Sequence, residues 1–127
     1  MQKDEEKIVT APPKAALNYL LVGAMKTSSS DIHIEPYEHE VKVRFRIDGV
    51  LQDILSFDHE TGNKLDQQIK HQAHLKLNID DLPQDGRFSF ILNDRAVDVR
   101  VSTLPSIYGA SYVLRLLDSG RKARRRD

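Results

Sequence analysis

The chain contains no cysteine and no tryptophan among its 127 residues. Without cysteine it can form neither a disulfide nor a thiolate metal site. Lys and Arg balance Asp and Glu at 19 each, which argues against a dedicated nucleic-acid-binding module, since such modules are usually strongly basic. No apolar run approaches the roughly 20 residues that cross a bilayer, and the polar first residues lead into no secretory apolar segment. These absences predict a cytoplasmic protein with no membrane span and no nucleic-acid partner.

The chain also lacks the phosphate-binding loop of P-loop nucleotide hydrolases. That loop requires the spacing G-x-x-x-x-G-K-[ST], and no two of the six glycines stand five residues apart. His33 and Glu35 share one predicted strand face, and His71 and His74 share a helix, but these pairs are too few and too dissimilar in spacing for a metal site. We therefore expect no catalytic residue, no metal site and no ATP hydrolysis by this chain alone.

Length and hydrophobic content fit a single folded domain. A chain of 127 residues with 39% hydrophobic residues can fill one modest core. Residues 1–10 are predicted to form a flexible leader and residues 11–118 the domain. Residues 119–127 are predicted to be a basic linker or tail.

Two helices are predicted from apolar spacing. The first begins near Pro12, since proline is tolerated in a first helical turn, and it ends within residues 27–30. The second runs from Glu60 to about Leu77, with Asp58 as its N-cap. The predicted buried positions are Leu17, Leu20, Leu21 and Ala24 in the first helix, and Leu65, Ile69, Ala73 and Leu77 in the second.

About six strands are predicted from polar–apolar alternation, which is strictest over residues 41–47. Asp48-Gly49 and Asn93-Asp94 have the composition of tight hairpin turns, and residues 78–86 are predicted to be a loop. Because hairpin turns dominate, the sheet should be largely antiparallel, with both helices on its apolar face and an α+β class. The predicted strands are residues 31–35, 41–47, 50–57, 87–92, 97–102 and about 110–117.

Arginines occupy polar positions in several of these strands, so their side chains should all lie on the face opposite the core. Two interpretations remain open. Each arginine pairs with a nearby carboxylate, such as Asp48, Asp85 or Asp98, or the planar guanidinium groups bind a phosphate bidentately. The arginines concerned are Arg44, Arg46, Arg87 and Arg100.

Five motifs closely resemble the secretion ATPase family of type II secretion and type IV pilus assembly. They stand in the family's order and cover about residues 11–118. The resemblance is to the domain that precedes the RecA-like motor core, and it implies a PAS-like sheet with flanking helices. The motifs are SDIHIEP (30–36), VRFRIDGVL (43–51), LPQDGR (82–87), VDVRVSTLP (97–105) and VLRLLD (113–118).

The resemblance implies a part in nucleotide chemistry performed by another domain. In this family the domain closes over ATP bound to the motor domain and supplies arginines to its phosphates. By position, Arg87 and Arg100 are the best candidates for phosphate contact, with Arg44 and Arg46 next. ATP is then the only cofactor, and it requires the motor domain.

The partners implied by the resemblance are the motor domain of the same or a neighbouring subunit in a hexamer, together with other secretion or pilus assembly proteins. These partners would bring a cytoplasmic protein to the inner-membrane face. Residues 78–81 are shorter and more acidic than the family's stretch, and Tyr108-Gly109-Ala110 replaces its His-Gly-Glu. A standalone adapter that regulates a secretion hexamer is the alternative function, and a nucleotide or anion sensor is a third.

Overall fold

The computed structural model describes the backbone of residues 13–122 and the side chains of residues 16–118. The predicted leader and residues 123–127 of the predicted tail lie outside the described residues. The described chain forms two helices and six strands. In chain order these are α1 (Pro13–Lys26), β1 (Asp31–Pro36), β2 (Val41–Ile47), β3 (Val50–Phe57), α2 (His59–Gln72), β4 (Gln84–Leu92), β5 (Arg95–Ser106) and β6 (Gly109–Lys122).

The six strands form one sheet in the order β3-β2-β1-β6-β5-β4, and every neighbouring pair is antiparallel. The chain turns back between β2 and β3 at Asp48-Gly49 and between β4 and β5 at Asn93-Asp94. All four turn residues have positive φ, as tight hairpin turns require. The first three strands and the last three form two halves, which the β1–β6 pair joins. The predicted antiparallel α+β architecture is confirmed.

Both helices cover the same face of this sheet, as predicted. The apolar stripe of α1 is buried, and Leu21 has no exposed surface. Its side chains join one core cluster with Ile69 of α2 and with inward-facing strand residues such as Val43, Val99 and Leu114. Because side chains alternate along a strand, every second residue lies on the uncovered face, which we call the open face of the sheet.

Helix α2 begins as predicted but ends earlier. The Asp58 side chain caps it by accepting a hydrogen bond of 2.8 Å from the Thr61 amide. His74 adopts a positive φ, and the Leu75 amide then donates to the Lys70 carbonyl. This is a Schellman ending, in which a left-handed residue stops the helix. The predicted burial of Leu77 is therefore wrong, because Leu77 lies beyond that ending and is 52% exposed.

Strands β4, β5 and β6 are longer than their sequence patterns indicate, and β5 runs over Arg95–Ser106 instead of residues 97–102. Strand β4 begins at Gln84, inside the predicted loop of residues 78–86. Strand β6 continues to Lys122, which is paired with Arg95 of β5. In both places the backbone pairs with β5, so a neighbouring strand extends the sheet where side-chain alternation is weak.

Candidate functional site

Three arginines lie in one line across the open face of the sheet, on three neighbouring strands. Arg100 on β5 is the Cα partner of Arg87 on β4 and also of Arg115 on β6. All three are exposed, whereas Val99 and Val101 on either side of Arg100 are buried in the core. We call Arg87, Arg100 and Arg115 the arginine row.

The arginine row takes no part in the ion pairs that the other described arginines of the sheet form. Among the described residues, the arginine ion pairs involve Arg44, Arg46 and Arg95, and none involves the row. Like charges directly opposite each other on neighbouring strands destabilise a sheet. An anion bound along the row would therefore relieve repulsion that the free protein contains.

Asp85 and Asp98, the carboxylates that were candidates for pairing with Arg87 and Arg100, accept hydrogen bonds from serine hydroxyl groups. Asp85 accepts a hydrogen bond of 3.0 Å from the Ser102 hydroxyl. Asp98 accepts one of 2.6 Å from the Ser89 hydroxyl. Each serine lies directly across from its aspartate on the neighbouring strand. The pairing interpretation is thus not found for either arginine among the described residues.

An open depression of about 590 Å³ lies over the arginine row. All three arginines line it, together with Ser102 of β5 and Val113 of β6. Asp85 is the only carboxylate among the described residues that line this depression. Three forked cations around a shallow opening suit a phosphate or another oxyanion that a second surface presents.

The motif around Arg87 is shaped by a close approach of β4 to the end of α2. A Cβ atom on Gly86 would lie 2.6 Å from the Ala73 carbonyl oxygen, so only glycine fits without displacement. The preceding Gln84 side chain holds the loop, since its Oε1 accepts from the Lys76 amide at 2.8 Å and its Nε2 donates to the Lys76 carbonyl at 3.1 Å. These contacts fix the start of β4 and hence the position of Arg87.

Arg44 and Arg46 also lie on the open face, but both are engaged with carboxylates. Arg44 Nε lies 3.1 Å from Asp53 Oδ1, and its Nη1 lies 3.8 Å from Glu35 Oε1. Arg46 Nε lies 3.3 Å from Asp31 Oδ1. The pairing interpretation therefore holds for these two arginines.

Asp31 separates Arg46 from the arginine row. It is the Cα partner of Arg46 on one side and of Arg115 on the other. Only 5% of its surface is exposed, and its Oδ2 lies 2.5 Å from Nε2 of His33. Burial alone raises the pKa of Asp31, but hydrogen bonds from Ser30 and His33 and the nearby positive charges outweigh it, so the pKa is lowered. The carboxylate stays ionised at neutral pH.

Arg115 is absent from the residues that the sequence singled out. The signal for it was available, because Tyr112, Leu114 and Leu116 are core residues and Arg115 alternates with them. What the sequence does not reveal is the neighbour of β6. The register between β5 and β6 places Arg115 beside Arg100.

A second polar cluster lies on the helix-covered face, and its contacts join separate elements of the fold. Buried Lys70 has its Nζ 2.5 Å from Asp80 and 3.4 Å from Asp66. The Tyr112 hydroxyl donates a hydrogen bond to Asp66. Burial and this hydrogen bond raise the pKa of Tyr112 far above its ordinary value. The cluster ties α2 to β6 and to the loop before β4.

The described residues offer neither a metal site nor a spanning helix. Within residues 13–122, no group of three or more His, Asp or Glu side chains could hold a metal ion. His33, one of the histidines considered for such a site, is bonded to Asp31. Over the same part of the chain, no helix is long and apolar enough to cross a membrane.

Comparison with known proteins gives matches over most of the chain. The family model described as "Type II/IV secretion system protein" matches residues 5–124. Type II secretion system protein E of Klebsiella pneumoniae is 49% identical over 108 residues, and Type II secretion system ATPase E of Vibrio cholerae is 44% identical over 108 residues. Type IV pilus assembly ATPase PilB of Myxococcus xanthus is 39% identical over 109 residues.

These matches cover a much larger share of this chain than of the relatives. Each covers 85% of this chain. The same alignments cover 22% of the Klebsiella and Vibrio proteins and 19% of the Myxococcus protein. The chain thus spans about a fifth of the length of these relatives.

Proposed function

Because the chain belongs to the type II/IV secretion system protein family, we propose that it is a non-catalytic domain of a secretion or pilus ATPase and supplies arginines to ATP held by a motor domain. Relatives named as ATPases in both type II secretion and type IV pilus assembly support this assignment. The phosphates are bound elsewhere, and this chain contributes charge to them from outside.

One observation carries the proposal. Arg87 and Arg100 are neighbours on adjacent strands, are exposed, and form no ion pair among the described residues. A guanidinium without a carboxylate partner can bind phosphate oxygens without first breaking an internal pair. The depression around these residues is open, so a ligand presented by another domain can reach it.

The mechanism we propose is electrostatic. Phosphoryl transfer spreads negative charge over the transferred group, and positioned arginines stabilise that charge. Arg87 and Arg100 would approach the phosphates when the sheet closes over the motor domain, and withdraw when it opens. Arg44 and Arg46 would contribute less, because each is already paired with a carboxylate.

We also propose that the domain makes contacts between subunits of a hexamer and with other secretion or pilus assembly components. Exposed apolar side chains at the β5–β6 turn support an interface there. Ile107 is 91% exposed and Tyr108 is 46% exposed, and Leu104 nearby is 53% exposed. Apolar groups clustered at a strand turn are typical of surfaces that another protein covers.

A chimera tests the phosphate contact. The matched segment of Vibrio cholerae Type II secretion system ATPase E is replaced by this chain, and ATP hydrolysis is measured. We expect Arg87→Ala and Arg100→Ala each to lower the rate at least about tenfold, because each removes charge from the transition state. Arg95→Ala is the matched control, since Arg95 lies on the same strand as Arg100 but pairs with Asp118. Rates unchanged by both row substitutions would refute the phosphate contact.

A further inference from the structure

We propose that the arginine row binds a linear chain of phosphates lying across β4, β5 and β6, and that Arg115 is its third contact. This inference rests on the proposed function of the same site and names a residue and a ligand geometry for it. The juxtaposition that carries it is the shared register of Arg87, Arg100 and Arg115.

The spacing of the row favours an extended anion. Neighbouring strands lie about 4.8 Å apart, so the outer two Cα atoms of the row are separated by roughly 10 Å. All three arginines could bind one phosphate group only if the outer side chains converged on it, whereas an anion that extends along the row meets each guanidinium above its own strand. A polyphosphate offers oxygens along its length, and the triphosphate of a nucleotide is an anion of this class.

Arg115 shares the structural properties that make Arg87 and Arg100 candidates for anion binding. It is exposed, it lines the same depression, and it forms no ion pair among the described side chains. Its neighbour in the depression is Val113, which supplies no competing charge. An anion held by Arg100 therefore lies within reach of Arg115 as readily as of Arg87.

Asp31 sets the end of the row. Its buried carboxylate lies on β1, the next strand after β6, and is the Cα partner of Arg115. Because the Asp31 carboxylate is already bonded to His33 and Arg46, an anion that extends past Arg115 meets an existing ion pair instead of a further unpaired guanidinium. The phosphate chain is thus confined to three strands, and Arg46 is shielded from it.

Titration of the 127-residue chain at low ionic strength tests this inference. The probes are inorganic tripolyphosphate, orthophosphate and ATP, followed by heteronuclear NMR and calorimetry. We expect tripolyphosphate to bind with a Kd of about 1 mM and orthophosphate to bind at least about tenfold more weakly. ATP should match tripolyphosphate within about threefold, since phosphates alone are recognised.

Two variants at position 115 separate binding from folding. Arg115→Ala should weaken tripolyphosphate binding about tenfold, which corresponds to losing one charge-assisted contact. Arg115→Lys should lie between this variant and the unmodified chain, because an ammonium keeps the charge but loses the fork. Arg95→Ala should bind as the unmodified chain does, because Arg95 pairs with Asp118 and takes no part in the row. Circular dichroism establishes that each variant is folded.

Several results would overturn the inference. These are tripolyphosphate binding that Arg115→Ala leaves unchanged, orthophosphate binding as tight as tripolyphosphate, no tripolyphosphate binding at 10 mM (about tenfold above the expected Kd), or ATP binding far more tightly than tripolyphosphate. If Arg87→Ala and Arg100→Ala weaken binding but Arg115→Ala does not, the third contact fails while the proposed function stands. If the chimera rates are insensitive to Arg87 and Arg100, the proposed function fails regardless of the titration.

Discussion

Arginines on the open face of this sheet have two roles, and the residue on the next strand decides between them. Arg46 lies beside Asp31, and its Nε donates a hydrogen bond of 3.4 Å to Asp31 Oδ2. Arg100 lies between Arg87 and Arg115 and has only like charges on either side. The first arrangement neutralises a buried carboxylate, and the second leaves cations available for an anion. The chemistry of the side chain is the same in both cases, so its neighbours determine its function.

At this residue scale we predict how Asp31 contributes to stability. Its lowered pKa means that the folded state favours the ionised carboxylate. The resulting stabilisation is present above the unfolded pKa of about 3.9 and is lost as pH falls through the lower folded value. Asp31→Asn should therefore cost about 1–2 kcal/mol at pH 7, and the difference from the unmodified chain should shrink below about pH 4.

Urea unfolding from pH 7 to pH 2.5 measures this difference. Asp53→Asn serves as a matched control, because Asp53 also pairs with an arginine but its side chain is 77% exposed. Exposed ion pairs contribute about 0–1 kcal/mol, so this control should cost less. A cost for Asp31→Asn that stays constant down to the lowest pH would contradict the assignment.

At the scale of secondary-structure elements, the junction between α2 and β4 positions the site. The Schellman ending of α2 turns the chain at His74, and Gln84 then holds the intervening loop through the Lys76 backbone. Strand β4 passes so near the helix end that Gly86 contacts the Ala73 carbonyl. The element that carries Arg87 is therefore held from the covered face of the sheet, leaving the open face free for a ligand.

Two glycine substitutions test this close approach. Gly86→Ala should lower the free energy of unfolding by about 1–3 kcal/mol, because the added methyl meets a backbone oxygen that cannot easily move. Gly23→Ala, near the C-terminal end of α1 (Pro13–Lys26), is the matched control. Its nearest atom would be a Phe45 ring carbon at 3.8 Å, and replacing glycine with alanine inside a helix gains up to about 1 kcal/mol. Thermal and urea unfolding give both values, and equal stabilities would show that the junction relaxes freely.

At the scale of the whole molecule, the proposed function gives the chain one side of a nucleotide site. The arginine row can stabilise negative charge, but the P-loop, which would hold the phosphates and position a metal ion, does not occur in the sequence. The row also lies in a shallow depression. A full site would then be assembled only when another domain presents its ATP to the open face.

We predict accordingly that the isolated chain does not hydrolyse ATP and binds nucleotide at most weakly. Phosphate release is measured at millimolar ATP with Mg²⁺, with the active chimera as the positive control. Calorimetry checks the affinity. ATP hydrolysis by the purified chain that is lost in Arg87→Ala would contradict this prediction. Tight nucleotide binding by the isolated chain would contradict it as well.

Most of the fold followed from local patterns. Alternation assigned the inward and outward positions of β2 over Val41–Ile47 without error, because the side-chain period of a strand is a property of its own backbone. The Asp58 cap and the Asp48-Gly49 turn were also predicted from neighbouring residues, and both are present in the structure. Predictions failed where a distant contact or a left-handed residue decided the outcome, as at Leu77 beyond the helix ending.

Local patterns were enough to find each strand, the helix starts and the face on which each predicted arginine lies, since all of these depend on residues a few positions apart. Which arginines are paired and which form a row depends instead on how the strands are arranged in the folded sheet. The carboxylate that occupies Arg46 comes from β1, 15 residues away in sequence, and Arg115 meets Arg100 only through the β5–β6 register. Charge pairing depends on distance in space, and the order of strands in the folded sheet sets that distance.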